Sequence, residues 1–133
     1  VSNDPQRSEE EAEQILSFVG LYQKRNLRAG ELSFGQQKLL ELAMALINGP
    51  KMLILDEPTA GINPTLINGI VDRLIKVNQK YNITLFVIEH NMRVIMNLAQ
   101  NIYCMAYGRI LAEGKPEDIK NDKRVIDAYL GAH

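Results

Sequence analysis

The sequence predicts an α/β fold with a mainly parallel sheet. Two short apolar runs, MLIL at 52–55 and TLFVI at 84–88, are typical of buried strands that are covered on both faces. An amphipathic helical pattern lies between them, and alternating strands and helices favour parallel pairing. Only these two central strands and one later hairpin are visible, which predicts an incomplete sheet.

The start of the chain supports the same interpretation. It begins at Val1 rather than at methionine, and residues 1–7 are polar and include a proline, like a linker or a cut site. We therefore expect these 133 residues to be a piece of a longer protein whose earlier strands precede them.

The first fifty residues predict two helices joined by a polar loop. In the first helix Ser8 is the predicted N-cap, Glu11 is its capping-box partner and Gly20 is the stop. The second helix begins after Ser33, with Gln36 as the reciprocal partner. It is apolar nearly all round, so we expect it to be largely buried.

Later elements follow from turn and cap residues. Asn63 and Pro64 are a typical helix start, with the asparagine as N-cap and proline in the first helical position. Asn91 is the expected cap of another helix. The remaining predicted elements are strands at 101–107 and 109–114 joined at Gly108, then short helices at 115–122 and 123–131 that stop at Gly131.

Bulk properties exclude several classes of protein. The net charge is −1 and the pI is about 6.2, which gives no electrostatic case for nucleic-acid binding. A single cysteine, Cys104, excludes an intrachain disulfide, and its apolar surroundings predict a buried, reduced thiol. The longest apolar runs are far shorter than the roughly 20 residues that span a bilayer.

Both central strands end in groups able to do chemistry. Asp56 and Glu57 follow the first, and Glu89 and His90 follow the second. Ligands bind at the carboxyl ends of strands in open α/β sheets. Neighbouring residues of an extended chain point in opposite directions, so one carboxylate could face a magnesium ion and the other an attacking water. The alternatives are solvated acids and a structural histidine.

The stretch LSFGQQ opens the second helix in a way that suits an anion. Free N–H groups and the helix dipole attract negative charge at this end, and Gly35 lets a phosphate approach the backbone. The alternative is that Ser33 only caps its helix.

In this order and spacing, these features resemble the ATPase domain of ABC transporters. Leu32–Gln36 is similar to the signature motif, Met52–Glu57 to the Walker B strand with its catalytic glutamate, residues 60–63 to the D-loop, and His90 to the switch histidine. The resemblance covers almost the whole chain and implies the C-terminal part of a P-loop-NTPase-like domain. Residues 1–50 would be part of the helical subdomain with the signature motif, 51–114 part of the catalytic core, and 115–133 a helical tail.

The resemblance also implies roles and partners. Asp56 would hold Mg²⁺ through water, Glu57 would activate the attacking water, and His90 would contact the γ-phosphate of ATP. Ser33, Gly35 and Gln36 would contact ATP bound to an opposite, head-to-tail ATPase subunit, and Asn63 would act in the D-loop. The implied partners are that second subunit, membrane permeases and, indirectly, a binding protein, without nucleic acid. The implied location is cytoplasmic, at the inner face of the cell membrane.

Two departures from the family pattern indicate a subgroup. Phe34 replaces the usual first glycine of the signature, and Asn63 replaces the usual D-loop aspartate. Both, with the tail from Tyr107 to Gly131, are similar to the ATPases of branched-chain amino acid importers. The related lipopolysaccharide-export ATPases are an alternative, although their signature is more often LSGGE.

The sequence contains no G-x-x-x-x-G-K-[ST] motif, so no phosphate-binding loop is visible. We therefore expect the isolated chain neither to bind ATP tightly nor to hydrolyse it. Two further alternatives are a non-transport ABC protein acting on nucleic acid and a non-enzymatic module that pairs with a separate P-loop chain. The near-neutral charge disfavours the first, and the retained Glu57 and His90 disfavour the second.

Overall fold

The structure, a computed structural model, describes residues 5–130 of the 133-residue chain. The chain divides into two compact units, with the division between Glu89 and His90. No helix among the described residues has both the length and the apolar character needed to cross a membrane. The division into 1–50, 51–114 and 115–133 concerns functional subdomains, which these two units do not test.

The first unit alternates helices and strands. Its elements in chain order are α1 (Pro5–Phe18), α2 (Phe34–Leu46), β1 (Met52–Asp56), α3 (Pro64–Tyr81) and β2 (Thr84–Ile88), with short 3-10 turns at Tyr22–Lys24 and Ala29–Glu31. Strands β1 and β2 pair in parallel, with Ile54 opposite Phe86. The predicted α/β class and the parallel pairing are therefore confirmed.

Helix α1 begins earlier than predicted but ends where expected. The prediction of Ser8 as N-cap is wrong, because the helix already starts at Pro5. Proline is common in the first turn of a helix, where the backbone N–H that it lacks would have no partner within the helix. At the other end, Gly20 has φ +79°. The Leu21 N–H donates to the Leu16 carbonyl at 2.7 Å, as in a Schellman motif.

Helix α2 begins as predicted but is less buried than predicted. Its buried residues are Leu42, Ala43 and Leu46. Met44, by contrast, is 64% exposed. A helix that packs on one side within its unit buries one stripe only, so the expectation that α2 is largely buried is wrong for this structure.

The sheet is likewise covered on one face only. Leu53 points into the core, whereas Ile54 is 70% exposed and Phe86 is 53% exposed. Successive side chains of a strand alternate between faces, so Met52, Ile54, Phe86 and Ile88 share the exposed face. The prediction that both faces are covered is therefore wrong within this unit, although the strands themselves form as predicted.

The second unit is built around a hairpin. Its elements are α4 (Met92–Leu98), β3 (Ile102–Ala106), β4 (Arg109–Gly114), α5 (Pro116–Asn121), α6 (Lys123–Val125) and a π-helical turn (Ile126–Leu130). Strands β3 and β4 are antiparallel. Tyr107 and Gly108 both have positive φ, +52° and +71°, as a two-residue type I′ turn requires. The predicted stop at Gly131 lies outside the described residues.

Two smaller predictions hold in this unit. The Asn91 side chain accepts from the Val94 N–H at 3.3 Å and so caps α4. Cys104 is a free, buried thiol among the core residues Ile102, Ala112 and Ile119. Burial, and secondarily the nearby Asp122 carboxylate, raises the pKa of this thiol.

Candidate functional site

The N-terminus of α2 is fixed by a reciprocal capping box. The Gln36 N–H donates to Ser33 Oγ at 3.3 Å, and the Ser33 N–H donates to Gln36 Oε1 at 3.0 Å. The first N–H groups of an α-helix have no carbonyl partner within the helix. The helix start therefore presents donors and a positive dipole end beside an exposed serine.

A second glutamine holds the segment that leads into this helix. Gln37 Nε2 donates to the carbonyls of Ala29 and Leu32, at 3.3 and 3.2 Å. These bonds fasten the preceding 3-10 turn to α2 and orient the chain that enters Ser33. Apart from its position after Gln36, nothing in the sequence indicates this role of Gln37.

The two small residues near the helix start have different neighbours. A Cβ added at Gly35 would lie 3.5 Å from Leu66 Cδ1, which is ordinary van der Waals contact. A Cβ added at Gly61, by contrast, would lie 3.0 Å from Phe34 Cε1, and Gly61 also has φ +70°. The signature-like segment thus packs against the loop after β1 through Phe34. The approach of a phosphate to Gly35 stays a prediction.

Asp56 and Glu57 both lie exposed at the carboxyl end of β1. Asp56 is the last residue of the strand, whereas Glu57 leaves it with φ +48°, a left-handed conformation. Glu57 is therefore not part of the extended strand, and strand alternation predicts the side-chain direction of Asp56 only. The Glu57 N–H donates to the Ile88 carbonyl at 2.8 Å, and the Glu57 carbonyl accepts from the Ala60 N–H at 3.0 Å.

The loop beyond Glu57 is held by Glu89, a contact that its place at the end of β2 does not predict. Glu89 Oε1 accepts from the Thr59 N–H at 3.0 Å and from the Thr59 hydroxyl. His90 directly follows Glu89 in the chain, is exposed, and is the first residue of the second unit. The apolar run at 84–88 predicts that Glu89 and His90 follow a strand, but it does not predict their contacts.

Asn63 is the N-cap of α3, as predicted. Its Oδ1 accepts from the Thr65 N–H at 3.0 Å and from the Thr65 hydroxyl at 2.9 Å. Pro64 occupies the first turn of that helix, also as predicted. The D-loop function of Asn63 stays a prediction.

A magnesium site would draw on few groups of this chain. Across residues 5–130, no cluster of three His, Cys, Asp or Glu side chains is arranged to hold a metal ion. Mg²⁺ commonly binds through one or two carboxylates, substrate phosphates and retained waters. The exposed Asp56 carboxylate at the strand end fits that limited contribution.

These features together are similar to those of part of an ATP-binding cassette. They are a capped signature-like helix start, a parallel strand ending in two carboxylates and a D-loop-like turn packed against the signature segment. The sequence profile described as ABC transporter matches residues 1–60. The profile described as branched-chain amino acid ATP-binding cassette transporter matches residues 109–133. The chain belongs to the ABC transporter ATP-binding family.

Curated relatives specify the similarity further. The chain is 41% identical over 123 residues to the probable branched-chain amino acid transport ATP-binding protein LivG of Archaeoglobus fulgidus, covering 92% of this chain and 48% of that protein. It is 39% identical over 129 residues to the high-affinity branched-chain amino acid transport ATP-binding protein BraF of Pseudomonas aeruginosa, covering 94% of this chain and 51% of that protein. The chain thus spans about half the length of these relatives.

Solved structures agree with the fold. One is the ADP conformation of an ATP-binding cassette of an ABC transporter, with a TM-score of 0.85 and 36% identity. The match covers 96% of this chain and 52% of that chain. A nucleotide-free ATP-binding cassette matches with a TM-score of 0.78 and 37% identity, covering 96% of this chain and 51% of that chain.

Proposed function

We propose that this chain is the C-terminal part of the ATP-hydrolysing subunit of an ABC importer for branched-chain amino acids. The observation that carries the proposal is the 41% identity to a LivG-type protein across 92% of the chain. The match of residues 109–133 to the branched-chain amino acid profile supports the importer over a lipopolysaccharide exporter.

In this proposal, ATP lies between two head-to-tail ATPase subunits, and this chain contributes to both sites. Asp56 holds Mg²⁺ through water, and the ion when bound neutralises phosphate charge. Glu57 orients the attacking water and accepts its proton. His90 contacts the γ-phosphate of ATP. Positioning and charge stabilisation provide most of the catalysis of phosphoryl transfer, so few protein side chains need to take part in the chemistry itself.

The start of α2 serves the other site in the dimer. Ser33, Gly35 and Gln36 contact the γ-phosphate of ATP that the opposite subunit holds, through the helix-start donors described above. Asn63, in the D-loop, lies at the junction between the subunits. The subunit works in the cytoplasm at the inner membrane face, bound to permease subunits and coupled through them to a binding protein.

The catalytic part of the proposal is tested by Glu57→Gln in the intact ATP-binding subunit. We expect the variant to lose about 100-fold or more of the ATPase rate and to keep ATP binding, because only proton acceptance is removed. Glu41→Gln is the matched control, since Glu41 forms an exposed ion pair with Lys38 on α2. Full hydrolysis by Glu57→Gln would refute the assigned role.

The transport part needs the assembled complex. Coexpressed with its permeases and binding protein, the intact subunit should drive ATP-dependent uptake of leucine, isoleucine and valine, and Glu57→Gln should not. Hydrolysis without such uptake would refute the substrate class while leaving the ATPase assignment intact.

The isolated 133-residue chain provides a separate test. Its sequence has no phosphate-binding-loop motif, so we propose that it neither binds ATP tightly nor hydrolyses it. Calorimetric titration with ATP, with and without Mg²⁺, measures this directly. Micromolar affinity together with phosphate release would contradict the proposal.

A further inference from the structure

One carboxylate ties the loop after β1 to the end of β2. Glu89 Oε1 receives both the backbone N–H and the hydroxyl of Thr59, the former at 3.0 Å. Thr59 is only 6% exposed and is the buried polar residue of the part of the chain that the structure describes. Hydrogen bonds to a charged acceptor are stronger than neutral ones, so this pair fixes the backbone and the rotamer of Thr59 together.

The segment held in this way begins with a backbone conformation that side chains disfavour. Glu57 has φ +48°, where the Cβ of an L-residue crowds the following carbonyl. Such conformations persist only where surrounding contacts over-determine them. Two bonds at Glu57 itself, from its N–H to Ile88 and from Ala60 to its carbonyl, close the turn on either side. Thr59 lies inside that turn, and Glu89 anchors it.

We propose that Glu89 is a positioning residue for the ATPase reaction: through Thr59 it holds residues 57–60 and so directs the Glu57 carboxylate toward the attacking water. The inference rests on the proposed role of Glu57. Glu89 acts on the loop rather than on the nucleotide. Its effect is therefore on the rate of hydrolysis and not on ATP affinity.

The chain offers matched variants of both partners. Glu89→Gln keeps an oxygen that accepts both bonds, whereas Glu89→Ala removes the acceptor. Thr59→Ser keeps the hydroxyl, whereas Thr59→Val removes it at nearly constant volume. Asp72→Ala, which removes an exposed carboxylate on α3, is the control for loss of one negative charge.

The first measurement tests the tie in the 133-residue chain, independently of any activity. Amide hydrogen exchange at Thr59 should accelerate about tenfold or more in Glu89→Ala, as expected for loss of a bond to a charged acceptor. Asp72→Ala should exchange within about threefold of the parent chain, and Glu89→Gln, whose neutral amide oxygen accepts more weakly, should exchange faster than the parent chain but more slowly than Glu89→Ala. Unchanged exchange in Glu89→Ala would overturn the proposal.

The second measurement tests positioning in the intact ATP-binding subunit. Glu89→Ala and Thr59→Val should each lower kcat about 10- to 100-fold, the scale expected for a small misplacement of a catalytic group, with the KM for ATP unchanged. The conservative variants Thr59→Ser and Glu89→Gln should each keep kcat within about threefold of the value of the unsubstituted subunit. The double variant Thr59→Val with Glu89→Ala should lose no more than Glu89→Ala alone, because the hydroxyl bond that Thr59→Val removes is one of the two bonds that Glu89→Ala removes.

Several results would overturn the proposal. A fall in melting temperature with unchanged kcat would show that the pair only stabilises the fold. A raised KM at constant kcat, or losses that multiply in the double variant, would show separate roles for the two residues. If the unsubstituted intact subunit does not hydrolyse ATP, the proposed function itself fails, and the exchange measurement then reports only on the loop.

Discussion

The contact between Phe34 and Gly61 allows a quantitative prediction for Gly61→Ala. Gly61 has φ +70°, and an alanine in the left-handed region costs about 1–2 kcal/mol. The new Cβ would also lie 3.0 Å from Phe34 Cε1, so the ring must shift by a few tenths of an ångström. Overpacking of this kind adds about 1 kcal/mol. We therefore expect a loss of about 2–3 kcal/mol in the free energy of unfolding.

Two other glycines separate the two contributions. Gly49 has φ +57° but no atom within 4 Å of its added Cβ, so Gly49→Ala should show only the backbone cost. Gly30 has neither a positive φ nor a close neighbour, so Gly30→Ala should change stability by less than about 1 kcal/mol. Adding Phe34→Ala to Gly61→Ala should remove the steric part and leave the backbone part.

Urea unfolding followed by NMR signals of the first unit measures these differences. The expected order of destabilisation is Gly61→Ala, then Gly49→Ala, then Gly30→Ala. If Gly61→Ala is as well tolerated as Gly30→Ala, the packing of the signature-like segment on this loop is refuted. If Gly61→Ala and Gly49→Ala are equal and Phe34→Ala has no effect on the former, only the steric argument is refuted.

Three further predictions follow from contacts elsewhere. Arg73 Nε donates to the Val19 carbonyl at 3.0 Å, and its positive charge stabilises the C-terminal end of α1. Arg73→Ala should therefore lower the free energy of unfolding, measured in urea, by about 1–2 kcal/mol. Arg124 lowers the pKa of the Asp122 carboxyl from 3.8 to about 2. The contribution of this pair to the free energy of unfolding should be complete above about pH 4 and disappear as the pH falls to about 2, because the carboxylate is then protonated. Arg124→Ala should return the pKa of Asp122 toward 3.8 in an NMR titration. The exposed apolar sheet face predicts that the 133-residue chain self-associates in sedimentation velocity and that Ile54→Lys weakens this association.

The parts of the fold that the sequence could predict were those determined by local chemistry. Ser33, Asn63 and Asn91 were expected to cap helices, and each accepts a backbone N–H in the structure. Gly20 was expected to end α1 and has the positive φ that a C-terminal glycine supplies. Caps and turns depend on a few neighbouring residues, so one sequence is enough to identify them.

Predictions of burial failed because burial depends on what packs against an element. The apolar pattern of Met44, Ile54 and Phe86 predicted coverage, yet all three are exposed in this chain. An apolar pattern shows that a surface favours burial but not which segment buries it. The sequence similarly located Glu57 and Glu89 at strand ends without predicting their geometry, since a left-handed glutamate and a hydrogen bond across 30 positions are tertiary features.

The strained residue and the proposed chemistry coincide at one point. Local preference disfavours φ +48° at Glu57, a residue with a Cβ, and natural sequences break such rules chiefly at functional or strained sites. The surrounding bonds to Ile88, Ala60 and, through Thr59, to Glu89 converge on the same four-residue turn. The concentration of restraints on one exposed glutamate therefore favours a catalytic role for Glu57 over the alternative that it only solvates the end of β1.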